Sequence, residues 1–225
     1  FGWVTDFRSA GVFEENEIAS VAPPGVVFLK KKLSRHYDIS DGAVQLVSFP
    51  KYDTPTVMDT LFPKKWDGQT GGILAFSARK VVFNAPVDGS GRGFRGGKAF
   101  TVGGNNCSWA TTQDGFSYSN TDWRGGAKGE GIAAILAGKE AGKGPQANGG
   151  GGGNDHNAGG GGGGNTQKGG KGGKNDEPAT FGCKGNHPGL GGLDLTAPGQ
   201  RLFMGGGGGA GHGNNSTNGS GGDGG

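Results

Sequence analysis

The chain has 225 residues, of which 55 are glycine, and its net charge is +3. Glycine has no side chain to bury and loses the most conformational freedom on folding, so the composition excludes an ordinary hydrophobic core of matching size. It also excludes collagen, which needs glycine at every third position, and a transmembrane helix, which needs about 18 consecutive apolar residues. The charge is too small and too scattered to predict a nucleic-acid partner.

Residues 1–85 contain few glycines and predict a β-rich part. Short strands at intervals of roughly 8–12 residues are typical of a β-sandwich, a barrel or a β-solenoid. We therefore expect a short-strand β-solenoid or sandwich-like fold for this part of the chain. The predicted strands lie in residues 25–30, 43–49, 72–77 and 80–83.

Residues 86–124 predict a transition between the β-rich part and a glycine-rich part. Residues 91–96 have the glycine spacing of a dinucleotide-binding loop, but no helix is predicted to follow them. We interpret residues 89–97 as the turn that leads out of the β-rich part.

The same transition contains an aromatic cluster that alternates with polar residues. If exposed, such a cluster is typical of a surface that binds carbohydrates, and if buried it caps the glycine-rich part. Both alternatives remain open, and the candidate surface-binding residues are Trp109, Tyr118 and Trp123. Phe116 belongs to the same cluster.

Residues 125–225 predict a glycine-rich domain in which glycine runs alternate with polar inserts. The inserts carry apolar side chains, unlike flexible linkers. A polyproline-II helix has three residues per turn and no internal hydrogen bonds, so neighbouring glycine helices can exchange backbone bonds. We predict a bundle of such helices, and the alternative is a disordered, low-complexity region. The runs lie at residues 149–153, 159–164, 168–174 and 205–209.

Two local features of the glycine-rich domain give more specific expectations. In residues 168–174, lysine occupies every third position, so we expect the lysines to point outward. Residues 129–142 combine alanine with an apolar face, and they predict either a short helix or a strand.

The two cysteines, Cys107 and Cys183, are predicted to form a disulfide. Both lie in turn-like settings, and extracellular domains with small cores commonly use such bridges. The bridge closes a loop of about 77 residues, which gives about 4 kcal/mol in the chain-entropy model.

The sequence predicts no catalytic, cofactor-binding or metal site. The histidines match no metal-ligand spacing, and no nucleophile motif or paired catalytic carboxylates can be identified. We therefore expect a protein that is not an enzyme. The histidines are His36, His156, His187 and His212.

From residue 66 onward the chain resembles the glycine-rich, adhesin-like surface proteins of gliding Bacteroidota. The residues that carry the resemblance are 66–76 (Trp-Asp-Gly-Gln-Thr-Gly-Gly-Ile-Leu-Ala-Phe), 88–97 (Asp-Gly-Ser-Gly-Arg-Gly-Phe-Arg-Gly-Gly), 123–133 (Trp-Arg-Gly-Gly-Ala-Lys-Gly-Glu-Gly-Ile-Ala), 142–150 (Gly-Lys-Gly-Pro-Gln-Ala-Asn-Gly-Gly), 154–157 (Asn-Asp-His-Asn), 181–185 (Phe-Gly-Cys-Lys-Gly) and 202–212 (Leu-Phe-Met-Gly-Gly-Gly-Gly-Gly-Ala-Gly-His). Residues 71–97 also resemble the strand pattern of filamentous adhesins with β-solenoid folds.

The resemblance implies export by the type IX secretion route and an extracellular place on the cell surface, in a protein that continues beyond residue 225. It implies a non-enzymatic structural or adhesive module whose partners are cell-surface components or glycans. One alternative is a cargo protein captured with the outer-membrane secretion machinery, and another is a glycine-rich tip domain that binds a glycan or receptor.

Overall fold

The structure, a computed structural model, describes residues 2–37, 39–40, 42–99, 114–154, 156–174, 186–197, 199–213, 219–222 and 224–225. Within these ranges the chain is non-helical, with a few short strands and no closed sheet. The prediction of a mostly β and irregular chain is therefore confirmed at this level. No helix in the described ranges has the length and apolar character needed to cross a membrane.

Near the amino terminus, β1 (Ile18–Ala22) and β2 (Val26–Leu29) form an antiparallel hairpin. The hairpin turns at Gly25, whose amide donates to the carbonyl oxygen of Ala22 at 2.9 Å. Gly25 has a φ of 104°, which side chains disfavour, so the turn requires glycine. The strand predicted in residues 25–30 is thus confirmed.

A parallel ladder follows, in which residues 45–66 lie beside residues 71–92. It contains β3 (Lys51–Tyr52), β4 (Thr56–Val57), β5 (Ser77–Ala78) and β6 (Val82–Phe83). Strand β3 pairs with β5 and β4 pairs with β6, in each case with the residue 26 positions later. The same offset continues in the bridge from Leu61 to Val87 and in the bond from the Trp66 amide to the Arg92 carbonyl.

The strand predicted in residues 43–49 is not formed. At this end of the ladder the Gln45 side chain replaces the backbone as the pairing group. Its amide nitrogen donates to the Gly71 carbonyl at 3.1 Å, and its oxygen accepts from the Gly71 amide at 3.0 Å. Alternating hydrophobicity alone therefore did not place the strand correctly, and the ladder strand begins only at Lys51.

The glycine-rich part is held together by backbone hydrogen bonds that follow a period of three residues. Every amide in residues 205–212 donates to another segment, and successive amides donate to three neighbours in rotation. The acceptors, in order, are the carbonyls of Gly225, Gly164, Glu130, Gly222, Gly161, Ala127, Gly219 and Ala158. One extended segment thus binds three neighbours that run antiparallel to it.

Residues 150–154, in the buried centre of the glycine-rich part, also donate to neighbours in rotation, but the neighbour at residues 207–210 runs parallel to them. The amides of Gly150 and Gly153 donate to residues 207 and 210, and those of Gly151 and Asn154 donate to residues 190 and 187. The remaining amide, from Gly152, donates to Gly142. Donor direction again recurs every third residue.

The segments approach so closely that side chains are excluded at many positions. A Cβ atom added at Gly209 would lie 2.0 Å from the Gly151 carbonyl oxygen, and one at Gly206 would lie 1.8 Å from that of Asn148. At Gly173, which lies on the outer segment formed by residues 168–174, an added Cβ meets nothing within 4 Å. Glycine is therefore required by space in the centre and is optional at parts of the rim.

Two buried asparagines close the ends of the central glycine run. The Asn148 side chain accepts from the Ile132 amide at 2.8 Å and donates to the carbonyls of Gly164 and Met204. The Asn154 side chain donates to the Gly115 carbonyl at 2.7 Å. These amides therefore replace backbone partners where the run ends.

Residues 129–142 form neither the helix nor the strand that the sequence allowed. Their amides are used by other segments, because Gly129 donates to Gly150 and Glu130 donates to Arg95. These bonds across the bundle override the helix propensity of the alanines.

The division into residues 1–85, 86–124 and 125–225 stays a prediction, and contacts cross both of its boundaries. Arg201 donates to the carbonyls of Arg8 and Ala10, and the ring of Phe7 packs on Phe203 at 5.7 Å. The outward orientation predicted for the lysines of residues 168–174 agrees with their exposure.

Candidate binding surface

The described part of the aromatic cluster lies along one side of the glycine-rich part. The backbone of Tyr118 exchanges two 2.9 Å hydrogen bonds with Ala141, and the Gly144 amide donates to the Phe116 carbonyl at 3.0 Å. The bundle therefore fixes the course of residues 116–118. Trp109, Cys107 and Cys183 lie outside the described residues, so the disulfide and the role of Trp109 stay predictions.

Tyr118 is buried, with 8% of its surface exposed. Its hydroxyl accepts from the Gly115 amide at 2.8 Å, and the Arg124 guanidinium lies 4.5 Å from the ring centroid. Arg124 is held in turn by Asp122, whose pKa is lowered chiefly by that hydrogen bond. Tyr118 is therefore held among its neighbours and offers little accessible area to a ligand.

Trp123 is half-buried, and its carbonyl oxygen lies 2.7 Å from Nε2 of His212. Because a carbonyl only accepts, Nε2 carries the proton. His212 Nδ1 is buried and has no hydrogen-bond partner among the described residues. Burial lowers the pKa of His212, which keeps this ring neutral at pH 7.

Phe116 is the exposed member of the described cluster, with 42% of its surface accessible. The Lys143 ammonium lies 4.9 Å from its ring centroid and also forms an ion pair with Asp114. His187 Nε2 lies 3.5 Å from Oδ1 of the same carboxylate. An aromatic face and several ionisable groups therefore meet at one place.

Lysines of the outer segment extend this place into a larger surface. Lys168, Lys171 and Lys174 are all exposed. The pKa of His187 is lowered first by burial and then by the charges of Lys143, Lys171 and Lys174. We call the set Phe116, Lys143, His187, Lys168, Lys171 and Lys174 the aromatic–lysine surface.

Beneath this surface, the buried Lys128 holds Ser117 in place. Lys128 is 3% exposed, and its ammonium donates to the Ser117 hydroxyl at 2.8 Å. Burial, followed by the charge of Lys139, lowers the pKa of Lys128 to about 8. A hydrophobicity pattern cannot reveal a buried lysine of this kind.

Sequence reasoning found only part of the aromatic–lysine surface. It identified the aromatic cluster and the outward lysines, but it assigned no binding role to Phe116 alone, to Lys143 or to His187. The signal for the lysine row was the Lys-Gly-Gly repeat in residues 168–174. Lys143 and His187 join the surface only through contacts between distant segments.

A separate open groove of about 450 Å³ lies beside residues 205–208. Apart from Asn165, its lining residues are all glycine. It therefore presents backbone groups and almost no side-chain chemistry.

Within the described ranges, no group of three His, Cys, Asp or Glu residues is placed to hold a metal ion. The arrangement of the aromatic–lysine surface is suited to binding, because it offers a ring face and ammonium groups. No family model, no curated protein and no solved structure matches this chain.

Proposed function

We propose that the glycine-rich part is a bundle of polyproline-II helices. Its support is the donor rotation in residues 205–212, where the three-residue period equals the number of residues per turn of that helix. We also propose that the parallel ladder consists of two successive coils of a β-solenoid. Its support is the constant offset of 26 residues between the paired segments.

On this architecture we propose a secreted, non-enzymatic structural or adhesive module of a cell-surface protein. The observation that carries the proposal is the interlocked backbone of residues 205–212. Each such bond contributes roughly 0.5–1.5 kcal/mol, and many of them act together to order a backbone that lacks a side-chain core. A scaffold of this kind gives stiffness and holds side chains fixed at its rim.

The rim then provides the adhesive chemistry. Phe116 is exposed beside Lys143, and aromatic rings with polar neighbours suit the apolar faces and hydroxyl groups of sugars. Because the bundle fixes the backbone on both sides of Phe116, the ring is organised before it meets a ligand.

Hydrogen exchange tests the scaffold. We expect slow exchange of the glycine amides in residues 150–153 and of Gly206, Gly207 and Gly209, because each of them donates to a buried or half-buried residue. The exposed Gly170 and Gly173, whose amides have no backbone acceptor among the described residues, serve as the internal comparison. Uniformly fast exchange in all of these glycines would reject the ordered bundle.

A glycan array tests the adhesive function. We expect the Phe116→Ala and Trp123→Ala variants not to bind the array glycans that the wild-type protein binds. Phe28→Ala is the matched control, because Phe28 is similarly exposed but lies in the hairpin. Wild-type binding in both test variants would overturn the proposed surface.

Cell fractionation tests the location. An adhesive module is expected on the outer surface, where added protease can reach it. Copurification with an outer-membrane translocon, without surface exposure, would instead favour the cargo alternative.

A further inference from the structure

We propose that Lys168, Lys171 and Lys174 form a binding row for an acidic polysaccharide. This inference rests on the proposed adhesive function and names its ligand class. The lysines recur every third residue and are exposed, while the glycines between them face the bundle or open space. The row therefore presents three cations along one line.

The backbone beneath the row is fixed by hydrogen bonds at successive positions. Gly169 and Gly172 donate to neighbouring carbonyls at 2.8 and 2.9 Å. The carbonyls of Gly170 and Gly173 accept from the amides of residues 162 and 159. Three residues of extended chain span about 9–11 Å, so the lysine α-carbons are held at that interval.

Within the part of the chain that the structure describes, the charges of the row are at most weakly paired. Among the described residues, neither Lys171 nor Lys174 has a carboxylate within salt-bridge distance. Lys168 lies 3.9 Å from Asp194, which is a loose ion pair between partly exposed groups, and its ammonium lies 5.2 Å from the ring centroid of the exposed Trp3. Lys171 and Lys174, together with Lys143, oppose protonation of His187, so their fields overlap there.

The interval favours a polysaccharide over a nucleic acid. Duplex DNA carries one negative charge per about 1.7 Å, which is far denser than the row can match. A polysaccharide with one carboxylate in each disaccharide repeats its charge at a comparable interval. Phe116 contacts Lys143, whose ion-pair partner Asp114 also lies 3.5 Å from His187, and it adds a ring on which a sugar face can stack.

Two variants isolate the row from net charge. The triple variant Lys168→Gln, Lys171→Gln, Lys174→Gln removes the three cations. Its control is Lys30→Gln, Lys31→Gln, Lys32→Gln, which makes the same charge change at exposed lysines of the hairpin region.

A third variant keeps the charge and moves it. In this relocated variant, Gly170→Lys and Lys171→Gly are combined with Gly173→Lys and Lys174→Gly. Added Cβ atoms at Gly170 and Gly173 meet nothing within 4 Å, so the new lysines fit. They point about a third of a turn away from the original row, since the segment has three residues per turn.

The experiment is calorimetric titration with hyaluronan oligosaccharides, which carry one carboxylate per disaccharide, at about 50 mM salt, where exposed charges are weakly screened. Neutral dextran oligomers and a single-stranded oligonucleotide are the comparison ligands. We expect the Kd for hyaluronan to rise at least about tenfold in the triple and relocated variants, and less than about twofold in the control.

Three results would overturn the row: no wild-type binding of hyaluronan, wild-type affinity in the relocated variant, or tighter binding of the oligonucleotide. The purified-ligand test is independent of location. If the protein is exposed on cells and binds array glycans but does not bind hyaluronan, only the proposed lysine row is rejected. If it binds hyaluronan but is absent from the cell surface, the proposed function is rejected instead.

Discussion

The parallel ladder and the glycine-rich bundle satisfy their backbone polar groups in two different ways. In the ladder, residues 45–66 pair with residues 71–92 along one edge, and large apolar side chains such as Leu46 and Met58 remain 72% and 68% exposed. In the bundle, residues 205–212 donate to three neighbours in turn and carry almost no side chains. In the ladder each segment pairs with one neighbour along one side, whereas in the bundle an extended segment bonds to neighbours all around it.

The difference shows where each region stores its stability. The ladder relies on side chains such as Val57, which is buried, and Trp66, which packs edge-on against Phe94 at 5.8 Å. The bundle relies on close backbone approach, which an added atom disturbs at the central positions. A substitution that adds a side chain should therefore destabilise the centre of the bundle and be tolerated at its rim.

The largest expected effect comes from adding one methyl group to the centre of the bundle. Gly209→Ala places a Cβ 2.0 Å from the Gly151 carbonyl oxygen, so we expect a loss of about 3 kcal/mol or more in the free energy of unfolding. Gly173→Ala is the control, because its Cβ meets nothing within 4 Å; it should leave stability unchanged or raise it by about 0.4–1 kcal/mol. Urea unfolding measures both, and equal effects would contradict the close-packing account.

The next effect concerns the asparagine that closes the central run. Asn148→Ala leaves the Ile132 amide and two carbonyls without their side-chain partner in a buried site, so we expect a loss of about 2–3 kcal/mol. Asn84→Ala, at an exposed position in the ladder, should change stability by less than about 0.5 kcal/mol. If thermal unfolding shows both variants to be similar, the Asn148 bonds do not close the run.

A smaller effect depends on pH through the buried Lys128. Its folded pKa of about 8 lies below the ordinary 10.5, so the folded state binds this proton less tightly than the unfolded state. The free-energy cost of burying the charged Lys128 is complete below pH 8 and disappears as the pH rises toward 10.5. The stability of the folded state should therefore increase over that range. Lys128→Met should remove this contribution, whereas Lys80→Met, at an exposed ladder position, should retain it. The test is to measure the urea midpoints of the wild-type protein and both variants at pH 7.5 and 9.5. An equal change of midpoint with pH in the wild type and in Lys128→Met would contradict the role given to Lys128.

The smallest effect is expected on the exposed side of the ladder. Asp53→Asn breaks the 2.6 Å ion pair with Arg79, but both side chains are largely in solvent. Exposed pairs contribute little, so we expect no measurable shift in the urea midpoint. A clear loss of stability would show that this pair helps to set the ladder register.

The sequence predicted those features that depend on local pattern. The turn and strand in residues 25–30 and the outward lysines of residues 168–174 follow from residue type and spacing. The ladder register was not predictable, because paired residues such as Lys51 and Ser77 share no chemical character that marks a repeat. Only the three-dimensional course of the chain brings them together.

The sequence also could not reveal which polar residues are buried. Lys128 and Asn148 have no apolar periodicity around them, and their burial results from the narrow spaces between packed backbones. Position gave one clue, since Asn148 and Asn154 stand immediately before and after the run 149–153. Both side chains bond to the backbone inside the bundle.

The rotation of donors in residues 205–212 constrains the number of residues by which a glycine run can be lengthened or shortened. Removing one glycine from such a run turns every later amide by a third of a revolution, so each would face the wrong neighbour. Removing three restores the directions and shortens the rod by one turn. Glycine runs in this architecture should therefore tolerate insertions and deletions in steps of three residues, much as a reading frame tolerates changes in whole codons.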